Sequence, residues 1–150
     1  MTIQEQLTSM GLQVSSTLIS DDFNGMEGSH THKAKLSNGD VTVSMNFTAG
    51  CAHRTPMPKF KNGGYTLHDV AQNKQTKPNP PSLEDVVYAL MMDSQCVMHG
   101  QSFDDFCDDF GYDTDSREAK KTYKGCIKQW QKLVKLGLYL EELEEIFQDF

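Results

Sequence analysis

The chain has 150 residues, 37% of them hydrophobic, and a formal net charge of −7. That length and apolar content suit a single domain with a core of useful size, built without disulfides or metal. The acidic balance argues against general affinity for DNA, RNA or an anionic membrane, which clustered Lys and Arg attract, and no apolar run approaches the roughly 20 residues of a membrane span.

At the start, Thr2 and Glu5 form a capping pair that predicts a helix over residues 3–10, with Gly11 ending it. The segment MTIQEQLTSMG lacks the basic and apolar regions of a signal peptide, so a cytoplasmic location is expected. A strand region follows, in which Leu12, Val14 and Ser16 against Leu18 and Ser20 alternate only moderately. Residues 32–36, the turn Ser37-Asn38-Gly39-Asp40 and residues 41–47 read as a hairpin. Val41, Val43, Met45 and Phe47 share one face of its second strand, and Thr42, Ser44 and Asn46 the other. Residues 48–81 are polar and rich in Gly and Pro, which predicts a long loop interrupted by a short strand at 65–67.

Ser82 and Asp85 open a helix through about Val97 that turns Leu83, Val86, Val87, Leu90, Met91 and Met98 inward. Ser102 caps the next, where Phe103, Phe106, Cys107 and Phe110 fall on one apolar face and Asp104, Asp105, Asp108 and Asp109 on the other. Gly111 can end it in the left-handed conformation, and Asp115 with Glu118 can open a helix from Arg117 to about Leu136. That helix offers Tyr123, Ile127, Trp130, Leu133 and Val134 to the core and directs Lys120, Lys124, Lys128, Lys132 and Lys135 to solvent. In the tail, Leu136, Leu140, Leu143, Phe147 and Phe150 recur at helical spacing amid Glu141, Glu142, Glu144, Glu145 and Asp149. The expected architecture is α+β: an N-terminal helix and a small antiparallel sheet packed with a C-terminal bundle of three to four helices. Within one domain the divisions are helix plus sheet (1–47), loop (48–81), helical half (82–137) and an amphipathic acidic extension (138–150).

Residues 103–126, FDDFCDDFGYDTDSREAKKTYKGC, carry a specific pattern: an aromatic, two variable residues, an aromatic, Cys, then FGYDTDSR, then Tyr and Cys. Phe103, Phe106, Cys107, Phe110 to Arg117, Tyr123 and Cys126 supply it, and PPSLEDVVYALMMD at 80–93 and GCAH at 50–53 extend it upstream. In these features the chain resembles a widespread family of small proteins from tailed phages and prophages, over about half its length. It departs from that pattern at 57–77, an insertion, and after Gly137. The resemblance implies a phage origin and a fold, and brings no agreed activity.

Several kinds of chemistry can be tested against the residues. A calcium loop beginning at Asp113 would need Gly at its sixth position and Glu at its twelfth, where Glu118 and Lys124 stand. His30, His32, Cys51 and His53 form HxH and CxH pairs that a hairpin could gather around zinc, although their spacing matches no structural zinc pattern and hairpin His commonly occupy solvated faces. Cys51 with His53 and Asp40, or Cys107 among carboxylates, can be written as nucleophiles, but nearby Asp raises a thiol's pKa. Nucleophile elbow, phosphate-cradling loop and dinucleotide fingerprint are all missing, so no catalytic residue and no cofactor is assigned. Tyr123 and Trp130 lie on an apolar stripe, which favours packing over base stacking beside the Lys row. The four cysteines, at 51, 96, 107 and 126, are expected as reduced thiols, mostly buried.

Charge runs in blocks. Residues 104–116 hold six Asp and no base, residues 117–135 seven bases against Glu118, and residues 141–149 five acids. The expected function is a phage-encoded inhibitor of a bacterial defence system, of anti-CRISPR or anti-restriction type, acting by stoichiometric binding. Its contacts would be Asp104, Asp105, Asp108, Asp109, Asp113, Asp115, Glu141, Glu142, Glu144 and Glu145, set as a DNA mimic against the basic channel of a nucleic-acid-binding effector in the host cell. Direct binding of nucleic acid or membrane is not expected, and residues 138–150 read equally as a last helix docked on the chain's own core or as an acidic amphipathic helix offered to a partner's groove or to a second copy, a candidate homodimer contact. The alternative is a zinc-stabilised nucleic-acid-binding or regulatory module using His30, His32, Cys51 and His53.

Overall fold

The computed structural model describes residues 1–21, 29–50, 58–59, 64–68 and 80–148. In chain order its elements are α1 (Ile3–Ser9), β1 (Gln13–Asp21), β2 (Ser29–Ser37), β3 (Thr42–Gly50), β4 (Pro58–Lys59), β5 (Gly64–His68), α2 (Leu83–Met98), α3 (Phe103–Phe110), α4 (Arg117–Lys135) and α5 (Leu140–Ile146). The architecture is α+β, with the sheet in the first half and four helices in the second.

The sheet is ordered β1-β2-β3-β5-β4. Its first three strands form an antiparallel meander, β5 joins β3 in parallel, and β4 pairs antiparallel with β5. The third strand therefore runs to Gly50, past the boundary at 47, and the short strand at 65–67 is real but belongs to a two-strand addition. Cross-strand pairs Leu36↔Val43 and Ala34↔Met45 put apolar side chains on the inner face, and Lys33, Lys35, Thr42 and Ser44 stay exposed. The weak alternation of β1 has a local cause. The register slips between Leu18 and Ser20, and Ile19 is left 54% exposed in the slip. In the hairpin turn, the Asn38 side chain accepts from the amides of Asp40 (2.9 Å) and Val41 (2.8 Å), and Gly39 takes φ 97°.

The helix α2 is enclosed on nearly every side. Its N-terminus carries a full capping box between Ser82 and Asp85, and the Gln4 side chain of α1 accepts from the Glu84 amide at 3.0 Å. Leu83, Val86, Val87, Ala89, Leu90, Met91 and Met98 are buried between the sheet, α1, α4 and the C-terminal segment. Each large side chain among these contributes on the order of 1.5–3 kcal/mol through burial. Asp93 and Ser94 are buried as well, which the apolar pattern did not indicate. Ser94 donates to the Leu90 carbonyl at 2.6 Å, and Asp93 accepts from the Gln129 amide of α4 at 3.2 Å.

Three expectations for the helical half are corrected. The buried stripe of α4 is Ala119, Thr122, Cys126, Gln129 and Leu133, whereas Tyr123, Ile127, Trp130 and Val134 flank it half-buried. Small side chains at 119, 122 and 126 admit close approach of helices, and Gln129 is drawn inward by the Asp93 carboxyl. Lys132 is consequently half-buried beside Asp93, while Lys120, Lys124, Lys128 and Lys135 are exposed. Phe110 is 42% exposed because the helix ends there.

The C-terminal extension docks on its own core. Leu136, Leu138, Leu143, Ile146 and Phe147 are buried, and the Phe147 ring lies 6.2 Å from that of Tyr88 on α2. Of the two uses open to the apolar stripe, it is docking on the chain's own core that the structure shows, while Asp149 and Phe150 lie outside the described residues. Leu143→Ala is expected to lower stability by about 2–5 kcal/mol in urea unfolding, the range of a buried Leu truncation; a change below about 0.5 kcal/mol would mean that α5 is undocked in solution.

Burial raises the Asp93 carboxyl from 3.8 to about 7, opposed by the Gln129 hydrogen bond and by Lys132. A raised folded-state value means that the folded chain holds a proton the unfolded chain has released, so this group's contribution is complete below about pH 4 and is lost as pH rises through 7. Asp93→Asn keeps the acceptor for Gln129 and cannot ionise. The variant is expected to remove that decline and to exceed the wild type at pH 8 by a few kcal/mol, read from denaturation at a series of pH values. Parallel pH profiles for the two proteins would show that Asp93 is not the titrating group.

Candidate functional site

The acidic block is held at the junction of α3 and α4 by caps on the outside and aromatic packing underneath. The Ser102 side chain accepts from the Asp105 amide at 3.2 Å, and Gly111 ends α3 with φ 71°, a conformation that is strained for any side chain with Cβ. The amide of Tyr112 closes on the Cys107 carbonyl at 2.8 Å, and a turn from Asp113 to Ser116 closes at 3.0 Å. The cap of α4 is Ser116, whose side chain accepts from the Ala119 amide at 3.2 Å. Asp115 was the expected cap; Ser116 takes the position, and Asp115 stays exposed in the turn.

Under this frame Phe106 is fully buried, with its ring 4.9 Å from Phe110, 5.3 Å from Tyr123 and 5.9 Å from Tyr112, the last nearly parallel. Phe103 meets Tyr123 edge-on at 5.4 Å, and the Tyr123 hydroxyl donates to the Gln101 carbonyl at 2.7 Å. Together with Cys107, Ala119 and Cys126 these rings form a second core, separate from the one around α2 and the sheet. A short amphipathic helix is thereby anchored on one face, and its other face is left to carboxylates.

Asp104, Asp105, Asp108, Asp109, Asp113 and Asp115 are all exposed. Gln101 donates to Asp109, tying the link before α3 to the helix's last turn. The carboxylates act on the interior: burial pushes the Cys107 thiol up, and Asp104, Asp108 and Asp113 push it further. This thiol therefore stays protonated, as expected for Cys107 among acids. On α5, Glu141, Glu144 and Glu145 are exposed, but Glu142 is half-buried with one carboxylate oxygen enclosed, so the second acidic patch is smaller than the sequence suggested.

His32 stands differently from the expectation of a solvated face. His32 is 4% exposed, in register with Leu18 and Phe47 on the inner side of the sheet. His30 lies two residues along the same strand, in register with Asp21 and Ala49. Cys51 and His53 lie outside the described residues. Among the described residues no three of His, Cys, Asp and Glu converge as metal ligands.

Two features escaped the sequence reading. One is the Asp93–Gln129 contact. The other is a cavity of about 470 Å³ between α2 and α3, lined by Met92, Gln95, Cys96, His99, Gln101, Asp109 and Phe110. Neither leaves a local signal in the sequence, because each is made where two helices meet. Among the described residues no helix is long and apolar enough to cross a membrane. No family model matches the chain, and neither curated proteins nor solved structures show a detectable match to it.

The Ser116 cap can be told apart from its acidic neighbour by mutation. Ser116→Ala is expected to cost about 1 kcal/mol in urea unfolding, whereas Asp115→Ala stays within about 0.5 kcal/mol. The reverse order would return the capping role to Asp115.

Proposed function

We propose that the chain is a phage-encoded, non-enzymatic inhibitor of a bacterial defence complex, which occludes a nucleic-acid-binding site with the carboxylates of the α3–α4 junction. The observation that carries this reading is the set of six exposed aspartates within residues 104–115, presented on a helix and turn whose backbone is capped at Ser102, Gly111 and Ser116. A rigid support matters because a channel built for phosphates rewards negative charge at fixed spacing, and ordering a mobile acidic loop would cost affinity. The junction is preferred to α5, whose apolar side is committed to the core and whose Glu142 is turned partly inward. The phage assignment rests on the resemblance of residues 103–126, and the target class on charge.

The target's Lys- and Arg-rich channel would meet Asp104, Asp105, Asp108 and Asp109 on the helix and Asp113 and Asp115 on the turn, while the basic face of α4 would point elsewhere. Displacement of nucleic acid would then be competitive and screened by salt, since the Debye length falls from about 10 Å at 0.1 M to about 3 Å at 1 M. The experiment is a plaque assay on hosts carrying single CRISPR or restriction systems, with the chain expressed beforehand. Wild type is expected to restore phage plating against at least one system. The combined Asp104→Lys, Asp105→Lys, Asp108→Lys and Asp109→Lys variant is expected to lose about 100-fold or more of that effect at unchanged folding, because like charges would face the channel. Full potency in the reversed variant, or no protection against any system, would overturn the proposal.

A further inference from the structure

Three cysteines of the helical half are free thiols, and they are placed in different ways. Cys107 is buried, with its sulfur toward the Asp113 carbonyl at 4.0 Å, and lies under a carboxylate surface that disfavours its thiolate. Cys96 and Cys126, by contrast, face one another across the α2–α4 seam in the aromatic core, within hydrogen-bonding reach. Cys126 is fully buried. Cys96 is half-buried and forms part of the wall of the 470 Å³ cavity, beside Met92, His99 and Phe110. One cysteine therefore borders an open cavity, and the second is enclosed in the core against which the first packs.

We propose that Cys96 and Cys126 are a redox-active dithiol, in which Cys96 reacts with a hydroperoxide admitted through the cavity and Cys126 then closes a disulfide between α2 and α4. The attack begins at the Cys96 thiolate. Its sulfur takes one peroxide oxygen, the O–O bond breaks, and the departing oxygen leaves with a proton as water or an alcohol. Cys96 is now a sulfenic acid. The Cys126 sulfur then attacks the Cys96 sulfur, the S–O bond breaks, and hydroxide leaves as water with the proton that Cys126 gives up. The two thiols have lost two electrons and two hydrogens, and the peroxide has gained them.

The electrostatics assign the order. The interaction between the two thiols lowers the Cys96 pKa despite partial burial, while the same interaction, burial and the charges of Cys96 and Asp93 raise that of Cys126. A thiol whose ionisation is favoured, beside a partner that keeps its proton, is the arrangement of a sensor thiol and its resolving thiol. Closure would tie the aromatic core under the acidic junction to α2 and stiffen the support of that surface.

The test treats the purified full-length protein with hydrogen peroxide, then blocks free thiols with an alkylating agent under denaturing conditions and maps the peptides by mass spectrometry. Wild type is expected to yield a cross-linked peptide pair containing Cys96 and Cys126, about 2 Da lighter than the sum of the two reduced peptides, that dithiothreitol separates. Cys126→Ser is expected to stop at a sulfenic acid on Cys96, captured by dimedone, and Cys96→Ser to leave Cys126 reduced. The wild-type mapping needs no variant and decides the question should either substitution prevent folding. Oxidation of Cys107 or Cys51 ahead of Cys96, a disulfide of any other pairing, or four unchanged thiols would overturn the proposal.

Discussion

The seam between α2 and α4 is the contact on which the remaining structure depends. On its other side α2 meets α1 and the sheet, so it is enclosed by both halves of the fold and has almost no polar face of its own. A helix of this kind is stable only when its neighbours are in place, because apolar surface on every side gains nothing until it is covered. At the seam the match is partly polar. Asp93 and Gln129 meet in an otherwise apolar contact, with Thr122 and Ser94 also buried. A buried polar contact is costly when misaligned, which penalises a slip of one helix along the other. That is a registry role, and it comes with a carboxyl whose pKa burial raises to about 7.

The same seam positions the acidic surface. Because α4 presents Ala119, Thr122 and Cys126 inward, the larger Tyr123 is left at the side, where it meets Phe103 and Phe106 of α3. The eight-residue α3 is too short to be stable alone and is held by this aromatic grip and by caps at both ends. Its solvent side can then be almost wholly carboxylate. Four aspartates on two turns of an isolated helix repel one another, and the tertiary contacts of Phe106 supply what local sequence withholds.

Much of this was legible beforehand. Capping pairs at Thr2, Ser82 and Ser102 and the left-handed Gly111 marked helix boundaries to within a residue or two, since caps are local hydrogen bonds between near neighbours. The hairpin turn at Asn38 and Gly39 was equally plain, because the side chain and backbone there satisfy each other without outside help. The parallel pairing of β5 with β3 was not, since parallel partners are distant in sequence and leave no turn signal. Nor was the choice between Ser116 and Asp115 as cap, where two adjacent residues have the same capability and the turn before them decides.

Local chemistry in the sequence determined the helices, the meander, the acid and base blocks and the apolar face of α3, because each depends on residues within a few positions of one another. Tertiary structure alone decided which stripe of α4 is buried, that Asp93 and Gln129 meet, that Cys96 lies against Cys126, and that the C-terminal leucines serve the chain's own core. Those outcomes depend on how closely two helices approach and in what register, and a hydrophobic period specifies a face only to within about one residue. The amphipathic tail looked equally suited to a partner. What covers an apolar stripe is a property of the surface opposite it, and that surface exists only once the chain has folded.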